Sequence, residues 1–136
     1  MPLIAAVAQA LSLRPLPSDP DAFVRETFVY PANHPETGLR IDFIFSTTDY
    51  ERQAITRAVQ IELRGESVPF ATAEDLIIHK LFAGRTRDIE DAVSVVRRQG
   101  DALDWSYVND WCRAFAGVPG REEMPAAAAR LREEGK

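Results

Sequence analysis

The chain has 136 residues, 46% hydrophobic and 27% charged, the proportions of a folded globular protein rather than a disordered or fibrous one. At this length one hydrophobic core is expected and two are not. The formal net charge of −5 argues against a protein that holds nucleic acid by overall phosphate neutralisation, while a local basic face is still allowed.

The opening PLIAAVAQALSL has no basic residue before its apolar run, and that run is too short for a bilayer span, so neither a signal peptide nor a membrane anchor is expected. Leu3, Ile4, Val7 and Leu11 fall at helical spacing and predict an amphipathic helix packed on a sheet. RPLPSDPD, with its three prolines, reads as a loop in which Ser18, Asp19 or Asp21 caps a short helical turn.

ETFVY and LRIDFIF are β-branched and aromatic runs separated by the turn material PANHPETG, and together they predict a hairpin. On the second strand Ile41, Phe43 and Phe45 share one face, and Arg40, Asp42 and Ile44 share the other. Apolar groups on both faces predict a central strand that buries Asp42 at least in part. A buried carboxylate costs several kcal/mol, roughly, unless it is paired or bound to a metal. Arg40 and Arg25 are the candidate partners, and a metal ion is the alternative.

DYERQAITRAV carries Tyr50, Ala54, Ile55 and Ala58 at helical spacing, and QIELRGESVPF reads as two short strands about a turn at Gly65. Thr72 followed three residues later by Asp75 resembles a capping box, and it opens a helix with Leu76, Ile77 and Leu81 as its apolar stripe. Gly84 ends this helix. TRDIEDAVSVVRRQG forms the next, with Ile89, Ala92, Val93 and Val96 inward and Gly100 as terminator. Asp104 caps a third, whose apolar face is Trp105, Val108, Trp111, Cys112 and Phe115. The tail REEMPAAAARLREEGK predicts a frayed or loosely docked helix interrupted near Pro125. The fold class expected is mixed α+β: a small mixed sheet flanked by helices, with a helical C-terminal part.

Cys112 is the sole cysteine, so no internal disulfide, zinc cluster or CxxC pair can form, and a reducing, cytoplasmic setting is expected. Fourteen of the sixteen basic residues are arginine; Lys80 is the one internal lysine, which points to a place that wants a compact ammonium rather than a planar fork. Around it HKLFAGRTRDIED sets Lys80, Arg85, Arg87, Asp88 and Asp91 where one helix ends and the next begins. The plain reading is a solvated, salt-bridged corner with Arg87 and Asp91 paired at i,i+4.

Taken in order, HPETGLRIDFIF, VPFATAEDLIIHKLFAGRTRDIEDAVSVV and LDWSYVNDW resemble the later part of the AbiEii/AbiGii-type nucleotidyltransferases of the polymerase-beta-like superfamily, over roughly residues 20–115. The resemblance implies that Asp42 is a catalytic metal ligand in a site for two Mg²⁺ ions and that Lys80 contacts the phosphates of an NTP. It also implies that Arg85, Asp88 and Asp91 support the nucleotide corner. Two magnesium ions need several hard carboxylate oxygens between them, and an ammonium then offsets triphosphate charge. The family's defining Gly-Gly or Gly-Ser turn and Asp-x-Asp strand have no counterpart here. Asp19-Pro20-Asp21 matches the spelling, but it follows no glycine turn and sits in a proline-rich loop.

The expected organisation is a nucleotidyltransferase-like core over residues 1–99, lacking its first catalytic strand, with residues 100–136 as a helical extension of the same domain. Translation from a start upstream of Met1 would supply what is missing. Two functions follow from the resemblance. One is a toxin–antitoxin nucleotidyltransferase, incomplete for transfer by itself, acting on an RNA or protein acceptor. The other is a non-catalytic, antitoxin-like module whose exposed sheet edge is covered by a second protein chain or another copy of itself.

Overall fold

A computed structural model describes residues 2–135 of the chain. Among these residues the fold is mixed α+β, with seven helices and two small antiparallel sheets. The chain divides into two compact units, residues 1–47 and 48–136, each with its own cluster of buried side chains. Two clusters thus form where length alone suggested one, because composition does not register which segments pack together.

The first unit holds helices α1 (Pro2–Ala10) and α2 (Pro20–Thr27) with a sheet of order β1-β2-β3, formed by β1 (Arg14–Pro15), β2 (Val29–Asn33) and β3 (Arg40–Ile44). Asp19 caps α2 by accepting from the Ala22 amide at 2.9 Å, with Pro20 at the first helical position, where its missing N–H costs nothing. Helix α2 takes in Glu26 and Thr27, and Phe28 closes it in the left-handed region (φ 57°), so the strand begins at Val29 rather than within ETF. The strand then runs through Pro31-Ala32-Asn33, which the sequence assigned to the turn. Pro31 is tolerated in this central strand because it sits at a non-hydrogen-bonded position relative to β3. Phe45 donates to Phe28 and His34 donates to Leu39 at the two ends of the ladder, which places Pro31 between bonded pairs.

The cluster of this unit is Ala8, Leu13, Val24, Tyr30 and Ala32, with Ile4, Ile41, Phe43 and Phe45 against it. Helix α1 turns Ile4 and Ala8 inward while Leu3 and Leu11 are exposed, a correction to the predicted stripe. Leu3 lies one position off the inward face, and Leu11 falls beyond the end of the helix.

The second unit opens with α3 (Asp49–Thr56), whose Thr48 and Glu51 form a reciprocal capping box. The hairpin of β4 (Val59–Leu63) and β5 (Glu66–Phe70) follows, turning at Arg64 (φ 54°) and Gly65 (φ 86°), the two positive φ values a type I′ turn requires. Helices α4 (Ala73–Ala83), α5 (Thr86–Gln99), α6 (Trp105–Phe115) and α7 (Met124–Glu134) build the larger core around Ile77, Ile78, Ala92, Val96, Val108, Cys112, Ala128 and Leu131. Tyr50 packs its ring on Trp111 and Phe115 at centroid distances of 4.9 and 5.2 Å.

Three expectations are corrected here. Helix α3 buries Tyr50 and Ala54 but exposes Ile55, and α4 buries Ile77, Ile78 and Leu81 while Leu76 is partly exposed. The tail is neither frayed nor interrupted: Pro125 lies in the first turn of α7, where proline is suited, and Met124, Ala128 and Leu131 are buried against the other helices. A Cβ added at Gly135 would come within 2.1 Å of Val96 Cγ1, so the chain past α7 lies directly on α5.

Candidate functional site

Asp42 stands on β3, which pairs with β2 on one side only and is therefore an edge strand of its sheet. The alternation read from sequence holds, with Ile41 and Phe43 turned toward the cluster and Arg40, Asp42 and Ile44 turned away from it. The expected burial does not hold. The Asp42 side chain is 38% exposed and Ile44 is 70% exposed, so this face meets solvent and the isoleucine on it is a surface residue. Arg40, two residues away on the same face, donates from Nε to Asp42 Oδ1 at 3.1 Å. That contact answers the question of a partner: Arg40, at the surface, where such a pair contributes about 0–1 kcal/mol.

Lys80, Arg85, Asp88 and Asp91 do come together, where Gly84 (φ 68°) ends α4 and lets the chain turn into α5. Lys80 Nζ donates to Asp91 Oδ2 at 2.7 Å and to Asp88 Oδ1 at 3.1 Å. Arg85 Nε donates to Asp88 Oδ2 at 2.5 Å, and its Nη2 to Asp88 Oδ1 at 3.3 Å. Asp91 is thus paired with Lys80, and the predicted Arg87–Asp91 pair is not found among the described residues. With its side chain 6% exposed, Asp88 is held ionised by Arg85 and then by Lys80, its pKa lowered to about 2. The two aspartates in turn raise the Lys80 ammonium above its ordinary value, Asp91 first.

Lys80 and Arg85 are matched in charge by Asp88 and Asp91, so the Lys80 ammonium brings no unpaired charge to a phosphate. An NTP bound at Lys80 would have to displace two carboxylates already in contact with it.

The most thoroughly buried polar group is one the sequence read only as a capping residue. Asp75, fully buried in the first turn of α4, accepts from Tyr107 Oη at 2.8 Å through Oδ1. Its Oδ2 accepts from Thr72 Oγ1 at 2.7 Å and from Arg57 Nε at 3.2 Å. Arg57 also lies over the Tyr107 ring, 3.9 Å from its centroid, and Tyr50 Oη donates to the Asp75 carbonyl at 3.2 Å. Burial, with the hydrogen bond it gives Asp75, pushes the Tyr107 hydroxyl up to about 12. The network ties α3, α4 and α6 into one piece. Both carboxylate oxygens have donors, which suits a structural tie rather than a reacting group.

Described residues of the second unit enclose hollows. One of about 600 Å³ is bounded by Val96, Arg97, Leu103, Asp104, Trp105 and Arg132. Another, of about 330 Å³, lies between the end of α4 and the start of α7. Neither is lined by Lys80 or Asp88.

Among the described residues no three His, Cys, Asp or Glu side chains are grouped as a metal ion would need. The donor set at Asp42, one solvent-facing carboxylate beside an arginine, therefore does not fit a two-magnesium centre. No described helix is long and apolar enough to cross a membrane. No protein-family model, curated protein or solved structure matches the chain.

Proposed function

We propose that this chain is a nucleotidyltransferase-like protein of toxin–antitoxin type that does not transfer nucleotides by itself and acts as a partner-binding or regulatory module. The kinship rests on the ordered resemblance of its segments to the AbiEii/AbiGii type. The single observation behind the non-catalytic part is the Lys80 corner: the ammonium that the resemblance assigns to NTP phosphates is neutralised by Asp88 and Asp91. Asp42, the residue assigned to magnesium, is paired with Arg40 and has no companion carboxylates grouped with it among the described residues. A cytoplasmic setting suits a chain whose one thiol is buried and unpaired.

The second reading is an enzyme whose missing carboxylates come from another chain, with Mg²⁺, an NTP and an RNA acceptor. The accessible side chain of Asp42 favours it, since a carboxylate that meets solvent can also meet a metal brought by a partner. Incubation of the full chain with Mg²⁺, each labelled NTP, and RNA or protein acceptors separates the two. The expected result is no label transferred. Transfer that disappears in Asp42→Ala would instead establish the enzyme.

A further inference from the structure

The β4–β5 hairpin is amphipathic and stands apart from the core of its unit. Val59, Ile61 and Leu63 of β4 lie on one face with Val68 and Phe70 of β5, and Glu66 stands at the turn end of that face. Val59, Ile61, Leu63 and Phe70 are each 45–52% exposed. Gln60, Glu62, Ser67 and Pro69 occupy the opposite face. The hairpin is a complete two-stranded sheet, so β4 and β5 each present an outer edge.

The two edges are not alike. A two-residue turn makes Leu63 and Glu66 a bonded pair, and alternation then makes Ile61–Val68 and Val59–Phe70 bonded pairs as well. The backbone groups of Ser67 and Pro69 therefore point outward from β5, and those of Gln60 and Glu62 point outward from β4. Pro69 has no N–H to offer, a recognised device for closing an edge to further strands. The β4 edge has no such block. It carries outward N–H and C=O groups at both positions on a β-branched, proline-free strand.

We propose that β4 is the pairing edge of a two-fold homodimer, in which two copies join antiparallel about Ile61 into a four-stranded sheet. Of the antiparallel registers open to this edge, only the one centred on Ile61 bonds Gln60 to Glu62 of the second copy and Glu62 to its Gln60, giving four interchain N–H···O bonds. Centring on Glu62 would set two carboxylates face to face, and centring on Gln60 would leave Glu62 opposite Ala58. The side chains complement each other in the chosen register. Ser67 Oγ already donates to Gln60 Oε1 at 3.0 Å, which leaves the amide NH₂ of Gln60 to donate to the Glu62 carboxylate of the second copy. On the apolar face Ile61 meets Ile61 and Val59 meets Leu63, extending the cross-strand pairing already present with Val68 and Phe70.

Sedimentation equilibrium of the full chain tests this with three variants. Wild type is expected to dimerise. Gln60→Glu, which sets like charges opposite one another at both ends, weakens the dimer by about tenfold, and Gln60→Lys strengthens it. Gln60→Pro copies onto β4 the block that Pro69 provides on β5. It removes two of the four interchain donors without touching a backbone bond inside the hairpin, at the loss of the Ser67–Gln60 side-chain bond, and it is expected to give a monomer with unchanged circular dichroism. A wild-type protein that stays monomeric at the highest concentration reached overturns the proposal. So does a dimer indifferent to Gln60→Glu and Gln60→Pro, which would place the contact on the apolar face or elsewhere.

Discussion

Asp88 keeps its charge because Arg85 and Lys80 donate to both of its oxygens, and this gives stability a definite dependence on pH. A carboxyl whose folded pKa lies at about 2, below the ordinary 3.8, stabilises the fold fully above the unfolded value; that contribution fades as pH falls through the folded one. Acid titration of unfolding free energy should therefore show a loss between pH 3.8 and about 2 that is shallower in Asp88→Asn. An identical acid limb in the variant would contradict the assignment. Asp75 and Asp42 mark the extremes of burial. Asp75→Ala leaves Arg57 and Tyr107 without their shared acceptor and is expected to cost about 3–5 kcal/mol in urea unfolding. Asp42→Ala removes a surface pair and is expected to stay within about 0.5 kcal/mol of wild type. Equal effects would mean that the burial of the two has been misjudged. Cys112 is fully buried and its thiol is pushed up to about 11, so alkylation by iodoacetamide at neutral pH should be slow until urea opens the fold. Rapid labelling of the native protein would show that the α6 face is accessible.

At the scale of elements, local chemistry was readable and facing was only partly so. Thr72, Asp104, Gly84 and Gly100 each mark a helix end within a few residues, and helix ends are where the structure puts them. The hairpin turn at Gly65 was equally plain. Where two apolar residues adjoin, however, two stripes about 100° apart compete, and packing picks between them. Leu76 yielded to Ile78 in this way, α1 turned Leu3 out and buried Ala8, a residue outside its expected stripe, and α3 kept Ala54 inside but lost Ile55 to solvent. The alanine-rich tail was misread because small side chains suggest weak packing, whereas Ala128 lets α7 approach its neighbours closely enough to bury Leu131. If α7 is docked as described, Leu131→Ala lowers stability by about 2–5 kcal/mol, read as a shift of the urea midpoint. A frayed helix would leave the midpoint unmoved.

For the molecule as a whole, what eluded sequence reasoning is what depends on distant residues. Two of the three side-chain donors to Asp75 come from 18 and 32 residues away, and no local pattern joins Arg57, Asp75 and Tyr107. Likewise, apolar residues on both faces of its strand predict that Asp42 lies inside, but only the face with Ile41 and Phe43 packs on a cluster, and the face with Asp42 is exposed. The charged corner was legible as a cluster, since four of its members fall within twelve residues of chain, but the partner of Asp91 was not: it is Lys80 across the helix turn rather than Arg87 along the helix. These placements carry the functional reading, in which the ammonium and the carboxylate that the resemblance assigns to nucleotide and metal each have a protein partner. Calorimetric titration of Mg²⁺ with an NTP into the full chain tests that reading most directly. The account predicts no saturable binding heat; saturable, magnesium-dependent binding that is lost in both Asp42→Ala and Lys80→Ala would contradict it.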